Sequence, residues 1–189
     1  MTQPTPASSA RILGISGNWS RPSRTRTLVG AVLSAIQARG LGQPELLDLV
    51  DAGASLLQTM DRAKAAPEVG RLLGAMVQAD VLVVGTAVHK GAYTGLFKHL
   101  FDLHDKEALS GKLVLLTATG ASPGHASVID HALRPLFMAL DATVTTRGLY
   151  ALQDDFESPE RVGPALAVRI ERSVDELARL MAGRPTRAA

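Results

Sequence analysis

Short runs of apolar residues alternate with longer amphipathic stretches along most of this 189-residue chain, and this alternation restricts the folds it can adopt. Apolar runs predict strands at residues 12–16, 46–50, 81–85, 113–116 and 144–149. Helical patterns cover residues 23–40, 69–76, 94–104, 127–140 and 159–181. The irregular, polar pattern of residues 51–67 predicts a loop. Strands that alternate with helices in this way predict a parallel sheet with helices on both faces.

Five strands favour the flavodoxin-like α/β fold, with strand order 2-1-3-4-5, over a six-stranded dinucleotide-binding domain. The length fits one domain, which we place at residues 11–183, between a flexible N-terminal tail at 1–10 and a C-terminal tail at 184–189. Parallel sheets of this kind bind ligands beyond the carboxyl ends of their strands. The segments after strands one, three and four are therefore the places to search for a site.

Composition excludes several classes of function. The chain has no cysteine, so it has neither disulfides nor thiolate metal ligands, and no metal site is predicted. The formal net charge is only +2 and 4% of the residues are aromatic, so nucleic acid is not an expected partner. No apolar run approaches the roughly 20 residues of a membrane span, and the N-terminus does not resemble a signal peptide. We therefore expect a cytoplasmic protein.

The segment after the first strand carries many groups that bind an anion. Residues 16–27 include five hydroxyls, one amide and three arginines, and they run into a predicted helix N-terminus. The N–H groups and dipole of that terminus attract negative charge, and a phosphate monoester needs many hydrogen-bond donors. The candidate phosphate contacts are Asn18, Ser23, Arg24 and Thr25, and Ser16 is a further candidate for binding the cofactor.

The same segment lacks the glycine pattern of dinucleotide-binding proteins and the glycine–lysine loop of nucleoside triphosphatases. It therefore predicts a mononucleotide ligand. A simpler interpretation is that Ser23 or Thr25 only caps the helix. The charge on the phosphate would be met by Arg21 or Arg24, and the sequence leaves this choice open.

The segments after strands three and four suit a flat ring. Both are rich in glycine and small residues, which allow a close approach of the backbone. The candidate ring contacts in the second segment are Ala87, Val88, His89, Lys90 and Tyr93. Those in the third segment are Thr119, Gly120, Ala121 and Ser122. An alternative for Tyr93 is that it anchors the core.

These segments resemble the NADPH-dependent FMN reductase family, and within it the sulfonate-utilisation branch of alkanesulfonate and methanesulfonate flavin reductases. The first is similar to the family's Gly-Ser-x-Arg-x-x-Ser phosphate loop, the second to its Pro-Val-Tyr segment that ends in Leu-Lys-x-x-x-Asp, and the third to Ala-Thr-Gly-Gly. The sequence departs from the pattern at Asn18, Ser20, Ala87 and His89.

The resemblance implies that NADPH and FMN are the cofactors and that hydride passes from NADPH to the flavin. It also implies a homo-oligomer, a dimer or tetramer, that supplies reduced FMN to an FMNH2-dependent sulfonate monooxygenase. Hydride transfer demands no general acid or base, so no catalytic residue is assigned. Alternatives are an FMN-bound quinone, azo-dye or chromate reductase, a non-catalytic electron carrier of flavodoxin type, and a binding module that has lost flavin.

Residues 129–136 resemble the branch's Asp-Tyr-Ala-Leu-Lys-Pro segment, with His131 at the position of the tyrosine. In the branch this helix carries a π-bulge associated with tetramer assembly and flavin exchange. Pro135 predicts a distorted helix independently, because proline lacks an N–H group. An alternative is a simple proline kink with His131 buried or at an interface.

Overall fold

The computed structural model describes residues 10–184, which include all of the predicted domain at residues 11–183. The predicted tails lie outside the described residues, except for Ala10 and Arg184. The strands are β1 (Arg11–Ser16), β2 (Gln43–Asp48), β3 (Val81–Ala87), β4 (Leu113–Gly120), β5 (Thr143–Val144), β6 (Leu149–Leu152), β7 (Phe156–Ser158) and β8 (Arg161–Val162). The α-helices are α1 (Arg24–Ala38), α2 (Leu49–Gln58), α3 (Pro67–Gln78), α4 (Gly95–Asp102), α5 (Arg134–Ala139) and α6 (Pro164–Ala182).

The main sheet is parallel and has the order β2-β1-β3-β4-β5, so the predicted flavodoxin-like fold is confirmed. Alternate residues of the strands point to opposite faces of the sheet, and each face has its own core. Helices α1 and α6 cover one face, where they pack against residues such as Val81 and Val83. Helices α2 to α5 cover the other face, against residues such as Leu82 and Val84.

The prediction of a loop at residues 51–67 is wrong for residues 51–58, which belong to helix α2, whereas residues 59–66 are irregular apart from one short 3-10 turn. Asp48 caps helix α2 at Leu49, and its side chain and that of Asp51 accept hydrogen bonds from each other's backbone N–H groups. Strand β2 therefore begins earlier than predicted, at Gln43, and ends at Asp48. The sequence pattern did not indicate this helix because Gly53, with a φ of +57°, interrupts its regular backbone.

The single strand predicted at residues 144–149 is also wrong. Two short strands, β5 and β6, pair with different parts of β4, and residues 145–148 leave the sheet between them. Side chains from the flanking helices bind the backbone of this segment. The Arg134 guanidinium donates to the carbonyls of Thr145 and Thr146, and Glu176 accepts the N–H groups of Thr146 and Arg147.

The last two predicted helices have different bounds from those expected. The closing helix begins at Pro164 rather than at residue 159, because β7 and β8 form a hairpin before it. The helix predicted at 127–140 consists of a π-helix, Ile129–Leu133, followed by α5. The N–H of Arg134 donates to the carbonyl of Ile129, five residues earlier, which is the π pattern. A distortion before Pro135 is therefore present, and His131 lies within it.

Candidate functional site

The carboxyl ends of β1, β3 and β4 lie side by side, so the three candidate segments meet at one edge of the sheet. Ser16 is in register with Gly85, and Gly85 with Thr117. Hydrogen bonds join the segments directly. The N–H of Gly17 donates to the carbonyl of Gly85 at 2.7 Å, and the N–H of Val88 donates to the carbonyl of Thr119 at 2.8 Å.

Gly17 is required at the start of the first segment by close packing. A Cβ atom built there would lie 2.5 Å from Cδ2 of Phe97 and 3.0 Å from the carbonyl oxygen of Gly85. A side chain at this position would push the first segment away from β3 and α4. Glycine therefore keeps the first segment against the second.

Ser16 and Asn18 bind to each other within the first segment. The Ser16 hydroxyl donates to Oδ1 of Asn18, whose Nδ2 donates to the carbonyl of Ser20 at 2.8 Å. Ser16 is fully buried and Asn18 is 7% exposed. These two predicted cofactor-binding residues therefore set the shape of the segment, and Asn18 does so through its amide.

Ser23 and Thr25 have structural partners at the beginning of α1. The Ser23 hydroxyl accepts the N–H of Arg26 at 3.3 Å, so Ser23 caps the helix, as the simpler interpretation expected. The Thr25 hydroxyl lies 2.7 Å from the Thr119 hydroxyl, and both side chains are buried. This pair joins the first segment to the third.

Two of the three arginines in the first segment are held by Asp48. Arg21 binds both Asp48 and Asp51 at 2.7 Å, and Arg26 binds Asp48 at 2.8 Å. Hydrogen bonds to Asp51 and Asp48 raise the pKa of Arg21. The Asp48 side chain is fully buried beneath these two guanidinium groups. Both arginines therefore stabilise the segment internally.

Arg24 differs from its two neighbours. Its Nε atom is buried and has no hydrogen-bond partner among residues 10–184. Buried donors are almost always paired, because an unpaired one costs about 1–3 kcal/mol. Arg24 is also the first residue of α1, whose first turn contains no acidic side chain. A cation with an unsatisfied donor at a helix N-terminus is suited to binding an anion.

The replacement Asp48→Asn is expected to lower the free energy of unfolding by about 2 kcal/mol, because hydrogen bonds to a buried charged group are each worth about 1.5–3 kcal/mol. Urea unfolding followed by circular dichroism measures this change. The matched control is Asp51→Asn, since the Asp51 side chain is 46% exposed and its only ion pair within residues 10–184 is with Arg21. We expect the control to lose less than about 1 kcal/mol. Equal losses in the two variants would contradict the central position of Asp48.

The second segment forms a tight turn at the rim of the site. His89 and Ala92 pair through two backbone hydrogen bonds, and Lys90 and Gly91 between them have positive φ angles of 53° and 83°. The His89 ring lies 5.0 Å from the Trp19 indole, at an angle of 54°. The turn therefore presents His89 and Lys90 at the surface, beside an aromatic side chain of the first segment.

Tyr93 lies where the second segment meets the core. It packs against the large buried cluster, and its ring lies 5.8 Å from that of Phe97. Tyr93 therefore packs as the alternative interpretation, a core anchor, predicted. Its side chain remains partly exposed. Ala87 ends β3, and Val88 is fixed by the bond from its N–H to Thr119.

Tyr150 of β6 is hydrogen-bonded to the third segment. Its hydroxyl donates to the carbonyl of Ser122 at 2.6 Å. A Cβ atom at Gly120 would lie 2.3 Å from that hydroxyl, so a side chain there would displace the Tyr150 ring. Burial raises the pKa of Tyr150, which keeps its hydroxyl protonated as a donor. Ala121 is exposed, and the Ser122 hydroxyl accepts the N–H of Gly124 at 3.3 Å.

His131 is exposed on the π-helix, away from the first segment. It borders a groove of about 590 Å³ between α4 and α5, which Phe101 and Pro135 also line. Tyr93 lines this groove as well, so one end of the groove reaches the second segment. The surroundings of His131 are thus a surface groove rather than the first segment.

Comparison with known proteins assigns the family. The sequence profile of the family described as NADPH-dependent FMN reductase matches residues 10–157. The chain belongs to this family. It is therefore a flavin reductase, and its cofactors are FMN and a reduced nicotinamide.

Two relatives and one solved structure illustrate the similarity. The NADH-dependent FMN reductase SfnF of Pseudomonas putida is 41% identical over 87% of this chain and 89% of its own length. An FMN reductase (NADPH) of Pseudomonas aeruginosa is 38% identical over 92% of this chain and 94% of its own. The apo crystal structure of the NADH:FMN oxidoreductase EMOB superposes with a TM-score of 0.81 and 29% identity, and the match covers 94% of both chains.

The site of this flavin reductase fits an FMN phosphate. The buried Nε of Arg24, at the beginning of α1, has no acceptor among the described residues. A phosphate oxygen would supply that acceptor. Around it, glycine at position 17 leaves the segment close to β3 and α4. Among the described residues, no group of three or more histidine and acidic side chains is arranged to hold a metal ion.

Sequence reasoning did not select two side chains that the reductase places at this edge. Trp19 is 52% exposed and lies beside His89. His125, in the short turn after Ser122, has a buried Nδ1 atom with no partner among the described residues. An aromatic residue in a polar, serine-rich segment was a usable signal for Trp19. His125 gave no such signal, because its burial depends on the fold.

None of the helices within residues 10–184 combines the length and apolar character that crossing a membrane requires.

Proposed function

We propose that this flavin reductase uses NADPH to reduce FMN and releases reduced FMN to an FMNH2-dependent monooxygenase that acts on sulfonates. The observation that carries the flavin assignment is the buried, unpartnered Nε of Arg24 at the N-terminus of α1. This donor selects a flavin with a terminal phosphate, because riboflavin offers no anion to pair with it. The ion pairs of Arg21 and Arg26 with Asp48 support Arg24 as the arginine that meets the phosphate.

In this proposal each segment has a distinct task. Arg24 and the first N–H groups of α1 hold the phosphate, while Ser16, Asn18, Ser23 and Thr25 shape the segment and add hydroxyl or amide groups. The backbone from Ala87 to Lys90 and from Thr119 to Ser122 borders the ring, together with the side chains of Trp19 and Tyr93. When bound, FMN supplies the hydride-accepting chemistry, and the protein supplies binding and orientation.

Release of reduced FMN is supported by the openness of the site. Trp19 is half exposed, and His89, Lys90 and Ala121 lie at the surface. A ligand bordered by such residues exchanges without a large rearrangement of the core. The sulfonate partner rests on the resemblance of the sequence to the sulfonate-utilisation branch. The net charge of +2 argues against a flavodoxin-type carrier, because such carriers are usually acidic.

We further propose that the reductase works in the cytoplasm as a dimer or tetramer, with the π-helix that carries His131 at a subunit contact. The groove beside this helix supports the proposal, since Phe101, Pro135 and Leu136 line it. Light scattering of the purified protein, with and without FMN, measures the assembly, and a monomer under both conditions would contradict it.

Steady-state oxidation of NADPH, with FMN, FAD and riboflavin compared, tests the proposed function. We expect kcat/KM to be about tenfold or more higher for FMN than for riboflavin, because only FMN carries the phosphate that Arg24 would bind. Equal values would contradict a segment that recognises phosphate. Turnover of quinones or azo dyes far above that of FMN would favour those reductases instead. A permanently yellow protein that does not oxidise NADPH would favour an electron carrier.

A further inference from the structure

A second cavity, of about 440 Å³, opens where the sheet is interrupted between β5 and β6. The π-helix forms one wall and α6 forms the other, while residues 146–150 form the floor. Its polar lining consists mainly of Asp130, Arg147, Tyr150, Arg169, Arg172 and Ser173. Three arginines and one carboxylate give this cavity an excess of positive charge.

Ion pairs with residues around the cavity compensate part of that positive charge. Asp130 is bound to Arg134 at 3.0 Å, so its charge is already neutralised. Arg169 is bound to Asp155 at 3.2 Å and also donates to the carbonyl of Tyr150. The Arg169 guanidinium is therefore already paired, and this residue forms part of the cavity wall.

The other two arginines are available to a ligand. Arg147 lies 3.6 Å from a Glu176 oxygen, and this carboxylate already accepts the N–H groups of Thr146 and Arg147. Arg172 has no hydrogen bond or ion pair within residues 10–184. Two guanidinium groups with unused donors thus face one concave space.

Ser173 adds a hydroxyl to the same wall. The residue is 3% exposed and lines the cavity, yet its hydroxyl has no hydrogen-bond partner within the described part of the chain. Hydroxyl and guanidinium donors together are the groups that bind phosphate oxygens, and guanidinium binds them with two parallel hydrogen bonds.

The cavity is connected to the candidate flavin site through Tyr150. The Tyr150 ring lines the cavity, and its hydroxyl donates to the carbonyl of Ser122 in the third segment. Ala126 and Ile129, just after that segment in the chain, also line the cavity. A ligand that reached from the third segment across Ala126 would bring its far end to the arginines.

We infer that this cavity binds the 2′-phosphate of NADPH, with Arg147, Arg172 and Ser173 as its contacts. The inference rests on the proposed function in taking a nicotinamide dinucleotide as the reductant. NADPH and NADH differ by this phosphate monoester, and relatives of this chain have names that specify one or the other. The arginines would therefore determine which nucleotide this reductase prefers.

Calorimetric titration with two nucleotide fragments tests the inference without any turnover. Adenosine 2′,5′-bisphosphate carries the phosphate in question, and adenosine 5′-monophosphate lacks it. We expect the intact protein to bind the bisphosphate about tenfold or more tightly than the monophosphate, as two charge-assisted hydrogen bonds predict. In the double variant Arg147→Gln/Arg172→Gln this preference should disappear. The control is Arg179→Gln, an exposed arginine on the same helix but outside the cavity, which should keep it.

Each result has a distinct meaning. Equal binding of the two fragments by the intact protein would overturn the inference, and so would a preference that survives in the double variant. Displacement of the bisphosphate by inorganic phosphate at similar concentrations would also overturn it, because the cavity would then be a general anion site. Fragment discrimination in a protein that reduces no flavin would support the inference while the proposed function fails. Flavin reduction with equal kcat/KM for NADPH and NADH would do the reverse.

Discussion

Replacing Arg24 with glutamine is expected to weaken FMN binding by about tenfold to a hundredfold and to leave riboflavin binding unchanged. The expectation follows from the buried Nε of Arg24, which has no acceptor within residues 10–184 and lies at the beginning of α1. A hydrogen bond to a charged group is worth about 1.5–3 kcal/mol, and each 1.4 kcal/mol is about a factor of ten in affinity. Riboflavin lacks the phosphate, so the variant removes nothing from its binding.

The protein carries its own probe for this measurement. The sequence has one tryptophan, Trp19, and it lies within the candidate site beside His89. Quenching of its fluorescence therefore reports binding of either flavin. Arg26→Gln is the matched control, since Arg26 lies in the same helical turn but is bound to Asp48. Losses of the same size for FMN and riboflavin, or a larger loss in the control, would rule out Arg24 as the phosphate contact.

Acidification from pH 7 to pH 4 is expected to remove about 3 kcal/mol of stability through His104 alone. This histidine is 8% exposed, and its Nε2 lies 3.4 Å from the sulfur of Met76. Burial lowers its pKa from 6.5 to about 4, and the positive charge of Arg62 acts in the same direction. Protonation is therefore less favourable in the folded protein than in the unfolded chain.

The direction of the effect follows from which state binds the proton. Above pH 6.5 both states are neutral and the contribution of His104 is fully present. As the pH falls from about 6.5 to 4, His104 becomes protonated in the unfolded chain but stays largely neutral in the folded protein, so the free energy of unfolding decreases. Urea unfolding of the wild type and of His104→Gln at several pH values isolates this contribution. The stability difference between the two proteins should shift by about 3 kcal/mol across this range, and a constant difference would contradict the pKa.

The sheet order could be predicted from the sequence because it depends on the number and spacing of strongly apolar strands. Two local features could not. Helix α2 is interrupted at Gly53, so its periodicity is broken where a pattern would be sought. Residues 145–148 are as β-branched as a strand, yet Arg134 and Glu176 occupy their backbone groups. Those partners are distant in sequence, and only the fold brings them together.

For the candidate site, too, some features could be predicted from the sequence and others could not. The chemical character of the three segments was visible in their composition, and so was their convergence at one edge of the sheet. The roles of the individual side chains were not. Our proposal of Arg24 rather than Arg21 as the phosphate contact depends on Asp48, which lies 27 residues after Arg21 at the end of β2. The hydroxyl pair of Thr25 and Thr119 joins residues 94 positions apart.

The interruption between β5 and β6 also affects how the protein behaves toward copies of itself. An uninterrupted outer strand would present a row of free N–H and C=O groups, which is a template for aggregation through strand pairing. Here the N–H groups of Thr146 and Arg147 are occupied by Glu176, and the carbonyls of Thr145 and Thr146 by Arg134. An incoming strand would have to displace charged side chains to pair there. The broken edge therefore protects this side of the sheet from unwanted strand pairing.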